Sequence, residues 1–295
     1  MTSDQRKVLV TGADGMLGSQ VCLQLVRSNC NFVGTVLENA VDGQETLDIC
    51  DAQAVEYLLD QVRPTHVVNC AAYTNVDGAE QEEALATRIN GDAPGFLAQA
   101  CVGIGAHLAH ISTDYVFKGV NDRPWRPDDP VDPVNAYGRS KLAGEQAILA
   151  SDAEAVIVRT SWLFGPNGSN FVDTIARLAL EKDELKVVND QIGCPTYTVD
   201  LASALIRLGQ CRYTGIGHFC NPPACSWYDF AGKIVDLNGA NCSINPCGSE
   251  DFPRPAARPA YSVLDCSDLF AALGGAPRCW EDALRDYLGQ TSPVQ

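Results

Sequence analysis

The stretch Val8-Leu9-Val10-Thr11-Gly12-Ala13-Asp14-Gly15-Met16-Leu17-Gly18 decides the fold, because an apolar strand runs directly into three evenly spaced glycines. Gly12 permits a tight turn, Gly15 lets a pyrophosphate approach the backbone, and Gly18 lets the following helix pack closely on the strand. The free amides at such a helix start attract phosphate. We therefore predict a cofactor-binding loop made of Gly12, Asp14, Gly15, Met16, Leu17 and Gly18.

The first half of the chain alternates short apolar runs with helical patterns, which predicts an α/β fold with a doubly wound parallel sheet. Residues 1–165 are expected to form a Rossmann-type dinucleotide-binding domain, which late elements near 185–210 rejoin. Residues 166–295 are expected to form mainly a smaller, partly interleaved C-terminal substrate lobe. The predicted strands are Lys7–Val10, Phe32–Leu37, His66–Asn69, His107–Ser112 and Ala155–Thr160. The predicted helices are Ala52–Val62, Glu82–Val102, Ser140–Ala150, Phe171–Leu180, Leu201–Leu208, Trp227–Leu237 and a last one near Trp280–Tyr287.

Composition excludes several classes of protein. A hydrophobic content of 46% over 295 residues argues against disorder. The 37 acidic and 21 basic residues give a net charge of −16, which disfavours nucleic acid and anionic membranes as partners. No apolar run is long enough for a membrane span, and the segment 1–7 leaves no room for a signal peptide, so a cytoplasmic location is expected.

The thirteen cysteines are an odd number scattered through apolar stretches, which favours reduced thiols over disulfides. The pairs Cys220 with Cys225 and Cys242 with Cys247 leave a zinc site as the alternative. Pro and Asn interrupt both gaps and no CxxC is present, so no metal ligand is predicted. The four histidines match no metal or triad spacing and are interpreted as structural.

A second motif, Tyr137-Gly138-Arg139-Ser140-Lys141, places a phenol and an amine four residues apart on one helix face. The charge of Lys141 is expected to lower the pKa of Tyr137, which then protonates a carbonyl oxygen as hydride reaches the carbon. Thr113, at the end of a predicted strand, can orient the same oxygen. Lys141 is also expected to bond the nicotinamide ribose. The alternative is an exposed helix pair of no function.

The adenosine end of the cofactor is predicted beside Glu38, because an acid twenty residues after Gly18 can bond the ribose hydroxyls. The alternative is a solvated loop acid. Asp48 and Ile49 can meet the adenine, although Asp48 can equally be a helix N-cap. Arg27 is the only basic residue between Lys7 and Arg63, so no clamp for a 2′-phosphate is visible, which favours NADH over NADPH.

At these motifs the chain resembles the extended short-chain dehydrogenase/reductase family over nearly its whole length. The resemblance is strongest to members that reduce the 4-keto group of dTDP-4-dehydro-L-rhamnose, and it implies a dTDP-sugar substrate and NADPH or NADH as cofactor. The matching segments are Asn69-Cys70-Ala71-Ala72-Tyr73-Thr74-Asn75-Val76-Asp77, Ile111-Ser112-Thr113-Asp114-Tyr115-Val116-Phe117, Arg159-Thr160-Ser161-Trp162, Asn189-Asp190-Gln191-Ile192-Gly193-Cys194-Pro195-Thr196 and Arg258-Pro259-Ala260-Tyr261-Ser262-Val263-Leu264-Asp265.

The resemblance also assigns roles to residues. It implies that Thr113, Tyr137 and Lys141 are catalytic. Some members form metal-bridged dimers through a Glu early in the first helix, where this chain has Gln20, so Mg²⁺ and that dimer are doubtful while another homodimer is left open. The residues implied beside the cofactor are Ala71, Ala72 and Tyr73, and those implied beside the sugar are Thr74, Val76, Asp114, Tyr115, Trp162 and Asn170.

A substrate site is also supported at three positions by the chemistry of the residues themselves. Arg254 and Arg258 stand in a Pro-rich loop of an acidic protein, and arginine suits bidentate diphosphate recognition. The alternative is a pair of solvated surface arginines. Trp162 can stack on a sugar face or belong to the core.

Three rival functions share these motifs. A nucleotide-sugar 4,6-dehydratase needs an Asp-Glu pair after the Thr, whereas here Asp114 is followed by Tyr115. Another nucleotide-sugar reductase or a 4-epimerase needs only the same Tyr and is harder to exclude. A non-catalytic subunit resembling the regulatory subunit of methionine adenosyltransferase is the third, and the intact Thr113, Tyr137 and Lys141 argue against it.

Overall fold

The computed structural model describes residues 6–291, and its helices and strands alternate through the first half of the chain as predicted. Residues 1–5, on which the expectation of no signal peptide largely rests, lie outside the described residues. The strands are β1 (Lys7–Thr11), β2 (Asn31–Val36), β3 (Gln44–Thr46), β4 (His66–Asn69), β5 (His107–Thr113), β6 (Ala155–Thr160), β7 (Leu163–Phe164), β8 (Glu184–Val188), β9 (Ile192–Gly193), β10 (Thr196–Tyr197), β11 (Gly215–His218), β12 (Cys225–Ser226) and β13 (Ser243–Cys247). The helices are α1 (Met16–Arg27), α2 (Ala52–Val62), α3 (Val76–Ala79), α4 (Glu83–Thr87), α5 (Ala93–Ile104), α6 (Ala136–Leu149), α7 (Phe171–Glu181), α8 (Thr198–Cys211), α9 (Trp227–Asn238), α10 (Ser267–Ala272) and α11 (Trp280–Thr291).

Seven strands form one parallel sheet in the order β11-β6-β5-β4-β1-β2-β3, which confirms the Rossmann-type α/β class. Alternate residues of β1 face opposite sides of this sheet. Val8 and Val10 pack with α1, α8 and α10, whereas Leu9 packs with α2 and α5. Helices therefore cover both faces, as an all-parallel sheet requires.

The chain reverses its direction of sheet growth beside β1, since β2 lies on one side and β4 on the other. Ligands of such folds bind at this point, outside the carboxyl ends of the strands. A line of buried hydrogen bonds ties the ends of β1 and β4 to the middle of β5. Thr11 Oγ1 on β1 donates to Asn69 Oδ1 on β4 (2.6 Å), and Asn69 Nδ2 lies 2.9 Å from His110 Nδ1 on β5.

A second apolar cluster lies in the C-terminal half, between α7, α9 and α11. Three two-stranded sheets accompany it: β8 pairs with β13, β7 with β10, and β9 with β12. Two late elements return to the large sheet, because α8 packs on α1 and β11 pairs with β6. The division of the chain into two domains at residue 165 stays a prediction.

Two predicted helices differ from those observed. The single helix expected over Glu82–Val102 is interrupted by a π turn at Arg88–Asp92, between α4 and α5. The helix expected at Ser140 begins at Ala136, because the Asn135 side chain caps it by accepting a hydrogen bond from the Gly138 amide (2.8 Å). Both Tyr137 and Lys141 are therefore helical.

Among residues 6–291, no helix combines the length and the apolar character needed to span a lipid bilayer.

The π turn and α6 pack at a distance that only glycine allows. A Cβ on Gly144 would lie 2.1 Å from the Asn90 carbonyl oxygen, whereas a Cβ on Gly232, inside α9, would have nothing within 4 Å. We expect Gly144→Ala to lower the free energy of unfolding by about 1–3 kcal/mol through overpacking. Gly232→Ala should raise it by about 0.5–1 kcal/mol, because alanine is the better helix former.

Urea unfolding of the two alanine variants beside the parent protein measures both effects. Equal stability changes in the two variants would contradict this account of the π turn.

Candidate active site

One cavity of about 750 Å³ opens along the carboxyl ends of β1, β4 and β5. It brings together the predicted glycine loop, most of the predicted sugar contacts and all three predicted catalytic residues. The predicted residues that line it are Gly12, Asp14, Gly15, Met16, Leu17, Gly18, Asp48, Ile49, Ala71, Ala72, Thr74, Val76, Thr113, Asp114, Tyr115, Tyr137, Lys141 and Trp162. The predicted residues that do not line it are Glu38, Tyr73, Asn170 and Arg258.

The glycine loop has the shape that a bound pyrophosphate needs. Gly12 has a φ of 63°, and a Cβ there would lie 2.8 Å from the Ala71 amide nitrogen. A Cβ on Gly18 would lie 2.0 Å from the Gly12 carbonyl oxygen. Helix α1 starts after Gly15 with no side-chain cap and no acidic residue in its first turn, so no side chain occupies its first amides. These residues fit a dinucleotide.

The predicted adenosine end of the cavity is lined by Leu47, Asp48 and Ile49. The Asp48 carboxylate accepts a hydrogen bond from the Cys50 amide (2.9 Å), while Asp51, not Asp48, is the N-cap of α2. Glu38 is exposed beyond the end of β2 and is not part of the cavity wall. Its contact with a ribose stays a prediction.

The segment after β4 is held in place by Asn90 in the π turn. Asn90 Oδ1 accepts from the Tyr73 amide (2.9 Å), and its Nδ2 donates to the Tyr73 carbonyl oxygen (2.9 Å) and to Ser140 Oγ (3.0 Å). Ala71 and Ala72 reach the cavity, whereas the Tyr73 hydroxyl turns away and donates to Glu82 (2.8 Å). Sequence reasoning missed the role of Asn90, because a regular helix would not point it at this segment.

Thr113, Tyr137 and Lys141 lie at the centre of the cavity. Thr113 ends β5, and its Oγ1 donates to Asp114 Oδ1 (3.0 Å) and accepts from the Tyr115 amide (3.2 Å). Lys141 is buried, and its Nζ donates to the Ile111 carbonyl oxygen (2.8 Å). The Tyr137 ring meets the Tyr115 ring edge to face, with 5.6 Å between centroids. A phenol, a hydroxyl and an amine thus face one enclosed space.

The expectation that Lys141 lowers the pKa of Tyr137 is wrong. Burial raises the pKa of Tyr137 above its ordinary value, the Asp114 carboxylate raises it further, and only a hydrogen bond with Thr113 lowers it. Burial also lowers the pKa of Lys141 to about 8. Since the Lys141 ammonium is directed to the Ile111 carbonyl oxygen, desolvation dominates at Tyr137. Tyr137 is therefore protonated at neutral pH.

The end of the cavity that is predicted for the substrate is lined by Thr74, Val76 and Trp162. Trp162 stacks on Trp227, with 3.7 Å between centroids, and its φ of 49° is unusual for a bulky residue. The Trp162 indole therefore packs within the protein, while the residue also borders the cavity, and its stacking on a sugar stays a prediction. The backbone there is strained, as is common at functional sites.

Two residues predicted near the substrate have protein partners instead. Asn170 caps α7, where its Oδ1 accepts from the Asp173 amide (3.0 Å) and its Nδ2 donates to the Gly165 carbonyl oxygen (3.0 Å). The structure thus does not bring Asn170 to the cavity. Arg258 is half-buried and bound to Asp77, with 2.9 Å between Nη2 and Oδ1.

The loop at residues 167–169 also lines the cavity, which sequence reasoning missed. Asn167 Nδ2 donates to Ser19 Oγ on α1 (3.2 Å). The signal was the turn Gly165-Pro166-Asn167-Gly168, which places glycine and proline where a loop must bend. The loop joins the second cluster to the glycine loop.

The potential metal ligands of residues 6–291 are dispersed, and the thiols are unpaired. Gln20 is buried in α1. In the part of the chain from 6 to 291, no group of three or more His, Cys, Asp or Glu residues could hold a metal ion. All thirteen cysteines are free, and Cys220 Sγ lies 3.4 Å from Cys266 Sγ. Each histidine bonds a protein atom. His66, His107 and His218 bond the carbonyl oxygens of Gly209, Tyr213 and Trp125 respectively, and His110 bonds the Asn69 side chain.

Asp114 is a buried acid whose ionisation costs folding free energy. Burial raises its pKa from 3.8 to about 6, although hydrogen bonds from Ser262 and Thr113 partly oppose this. Because the pKa is higher in the folded state, the protonated form favours folding below pH 4, and that contribution is lost as the pH rises through 6. We expect Asp114→Asn to gain stability relative to the parent between pH 4 and 7, by up to about 3 kcal/mol.

Urea unfolding of both proteins at several pH values measures this difference. A stability difference that stays constant from pH 4 to 7 would show that Asp114 does not titrate in this way.

Comparison with known proteins gives the family. Residues 6–292 match the RmlD substrate binding domain. Spore coat polysaccharide biosynthesis protein SpsK of Bacillus subtilis is 43% identical over 286 residues, which cover 97% of this chain and 98% of SpsK. The dTDP-4-dehydrorhamnose reductase of Mycolicibacterium smegmatis is also 43% identical over 286 residues, covering 95% of this chain and 84% of that protein.

Solved structures agree with these relatives. A dTDP-4-dehydrorhamnose reductase from Clostridium acetobutylicum superposes with a TM-score of 0.91 at 41% identity, covering 96% of this chain and 99% of that chain. The dTDP-4-dehydrorhamnose reductase of Bacillus anthracis, in complex with NADP, gives a TM-score of 0.90 at 37% identity, covering 97% and 99%. These findings confirm the resemblance drawn from the motifs, and the chain belongs to the RmlD substrate-binding-domain family.

Proposed function

We propose that the chain catalyses the NAD(P)H-dependent reduction of the 4-keto group of dTDP-4-dehydro-L-rhamnose to give dTDP-L-rhamnose. The observation that carries this proposal is the single cavity that joins the glycine loop to Thr113, Tyr137 and Lys141. A hydride carrier and a proton donor must face the same carbonyl group. This cavity is lined both by the loop proposed to hold the carrier and by the proposed donor, Tyr137. The relatives from Mycolicibacterium, Clostridium and Bacillus anthracis bear the name of this activity.

The cofactor, when bound, supplies the hydride that reduces the carbonyl carbon. Tyr137 gives its hydroxyl proton to the carbonyl oxygen, so that the phenol O–H bond breaks and the alcohol O–H bond forms. The raised pKa of Tyr137 keeps that proton in place at neutral pH until the oxygen gains negative charge. Thr113 orients the oxygen, and its hydrogen bond with Tyr137 is the contact that favours the tyrosinate that remains.

The observations on the cofactor point to NADH in part and to NADPH in part. Gly12, Gly15 and Gly18 would hold the pyrophosphate, and Lys141 would bond the nicotinamide ribose. The exposed Glu38 and the absence of nearby Arg or Lys in the sequence favour NADH, whereas the Bacillus anthracis structure contains NADP. We therefore propose that the chain accepts NADPH and NADH, which parallel assays will rank.

The sugar nucleotide is proposed to lie between the catalytic residues and the loop that contains Arg258. Asp114, Tyr115, Thr74 and Val76 would border the sugar. The Arg258 charge is close enough to Tyr115 to lower the pKa of that phenol against the larger increase caused by burial. We therefore propose that Arg258 binds the diphosphate near Tyr115.

The remaining proposals concern the cell and the assembly. The thirteen free thiols suit a reducing compartment, so we propose a cytoplasmic enzyme. A homodimer also stays a proposal, which sedimentation equilibrium can test. The acidic net charge supports a partner that is a small molecule and not a nucleic acid.

Tyr137→Phe removes the proton donor and keeps the ring. We expect turnover to fall at least about 100-fold, the usual contribution of a general acid, with an unchanged thermal midpoint. The measurement is the loss of reduced-nicotinamide absorbance, with the keto sugar made in situ from dTDP-glucose by a dehydratase and a 3,5-epimerase. Tyr115→Phe, on the neighbouring ring, is the matched control and should lose much less.

Each outcome separates the rival functions. Near-normal turnover by a folded Tyr137→Phe protein would contradict the assigned donor. No oxidation by the parent protein would favour the 4-epimerase if cofactor stays bound through purification. Tight binding to a partner enzyme without turnover would favour the regulatory subunit.

Arg258→Ala tests the diphosphate contact. We expect KM for the sugar nucleotide to rise at least about tenfold, since a hydrogen bond to a charged group contributes about 1.5–3 kcal/mol, while kcat changes little. Arg254→Ala is the control within the same loop, and it should change KM less, because Arg254 is more exposed and 3.9 Å from Asp77. Equal KM values for the parent and Arg258→Ala would remove Arg258 from the substrate site.

A further inference from the structure

A buried ion pair lies directly behind the catalytic residues. Glu145 on α6 and Arg159 on β6 are almost fully buried, with exposures of 1% and 2%. Arg159 Nη2 donates to Glu145 Oε2 (2.7 Å), and its Nε donates to Glu145 Oε1 (2.9 Å). This bidentate geometry fixes the two groups in direction as well as in distance.

Glu145 also binds the strand that carries Thr113. Ser112 Oγ donates to Glu145 Oε1 (2.5 Å), and Ser112 is the residue before Thr113. Ser112 and Arg159 are register partners in the β5–β6 ladder. The Glu145 carboxylate therefore accepts hydrogen bonds from both members of a cross-strand pair, Ser112 and Arg159, and Ser112 is adjacent to Thr113.

The same carboxylate stands in line with the other catalytic groups. Tyr137, Lys141 and Glu145 follow one another at four-residue spacing along α6, so they share one helix face. Arg159 is satisfied elsewhere too, since its Nη1 donates to the Pro127 carbonyl oxygen (3.1 Å) and its guanidinium lies 4.9 Å from the Phe117 ring centroid. The buried guanidinium of Arg159 thus has a partner at each of its three nitrogens.

Stability alone does not account for this arrangement. A buried ion pair is often no more stabilising than a pair of well-packed apolar side chains, because both charges lose their hydration. An apolar pair would not hold Ser112 or place a negative charge one turn from Lys141. We propose that Glu145 is a positioning residue, which fixes the carboxyl end of β5 against α6 and keeps the Lys141 side chain charged in its buried place.

The proposal rests on the proposed reductase function. Its electrostatic part requires that Glu145 dominates the charges around Lys141. Cys70 after β4 and His110 on β5 are the other titratable groups whose charges act on or sense Lys141. Burial raises the pKa of the Cys70 thiol and lowers the pKa of His110, so both are neutral at pH 8. Glu145 is then the charged neighbour that opposes the desolvation of Lys141.

Glu145→Gln tests this because it keeps the size and the acceptor oxygen and removes the charge. We expect the alkaline limb of kcat/KM to move to lower pH by about one unit, with KM for the sugar nucleotide unchanged near pH 7. The affinity for NADPH, followed by quenching of tryptophan fluorescence, should weaken over the same shifted pH range. A purely structural Glu145 would move neither profile.

Glu83→Gln is the matched control. Glu83 also binds an arginine of α6 in bidentate fashion, since Arg139 Nε and Nη2 lie 2.7 and 2.9 Å from its two oxygens, but that pair is exposed. Glu83→Gln should leave both pH profiles in place. If Glu145→Gln does not fold because Arg159 loses its partner, Glu145→Gln with Arg159→Met removes both charges and is measured in the same way.

The outcomes distinguish the two proposals. A shifted limb in the Glu145 variant and not in the Glu83 variant supports the positioning role. Parent-like profiles in a folded Glu145 variant overturn it. If the parent protein does not oxidise NADPH with the sugar nucleotide, the reductase function fails, and the pH dependence of NADPH binding alone then decides the role of Glu145.

Discussion

The site depends on one line of buried hydrogen bonds that joins the carboxyl ends of β1 and β4 to His110 in the middle of β5. Thr11, Asn69 and His110 are each at most 1% exposed, so each bond between them is made away from water, where a lost partner is costly. The Ala71 amide also donates to Thr11 Oγ1 (3.3 Å), which brings the next segment against Gly12. The three strands cannot slide relative to one another without breaking this line.

Much of the fold follows from local patterns in the sequence. The apolar run of β1 reflects a strand that is buried on both faces, and it was predicted as Lys7–Val10 where the structure has Lys7–Thr11. The glycine loop was predictable for a similar reason, because Gly12 and Gly18 stand where a side chain would collide with backbone. The cavity that joins this loop to Tyr137 and Lys141 follows from the parallel topology.

Properties that arise from distant contacts could not be predicted in the same way. The charge of Lys141 was expected to govern Tyr137, but the depth of burial and the direction of the Lys141 ammonium are set by β5. Asn170 was expected at the sugar, yet its place before α7 makes it a cap. The early start of α6 depends on Asn135, which accepts a hydrogen bond from the Gly138 amide. A glycine in the first turn is untypical of a helix, so the sequence pattern did not predict this start.

The π turn at Arg88–Asp92 has a consequence for substitutions. A π turn carries one more residue than the same stretch of α-helix, and here it brings the Asn90 carbonyl oxygen to the surface of α6 at Gly144. A larger residue at position 144 requires a regular helix opposite, and a regular helix no longer points the Asn90 amide at Tyr73. Positions 90 and 144 are therefore coupled, so a change that removes the π turn also affects the segment that lines the cavity at Ala71, Ala72 and Thr74.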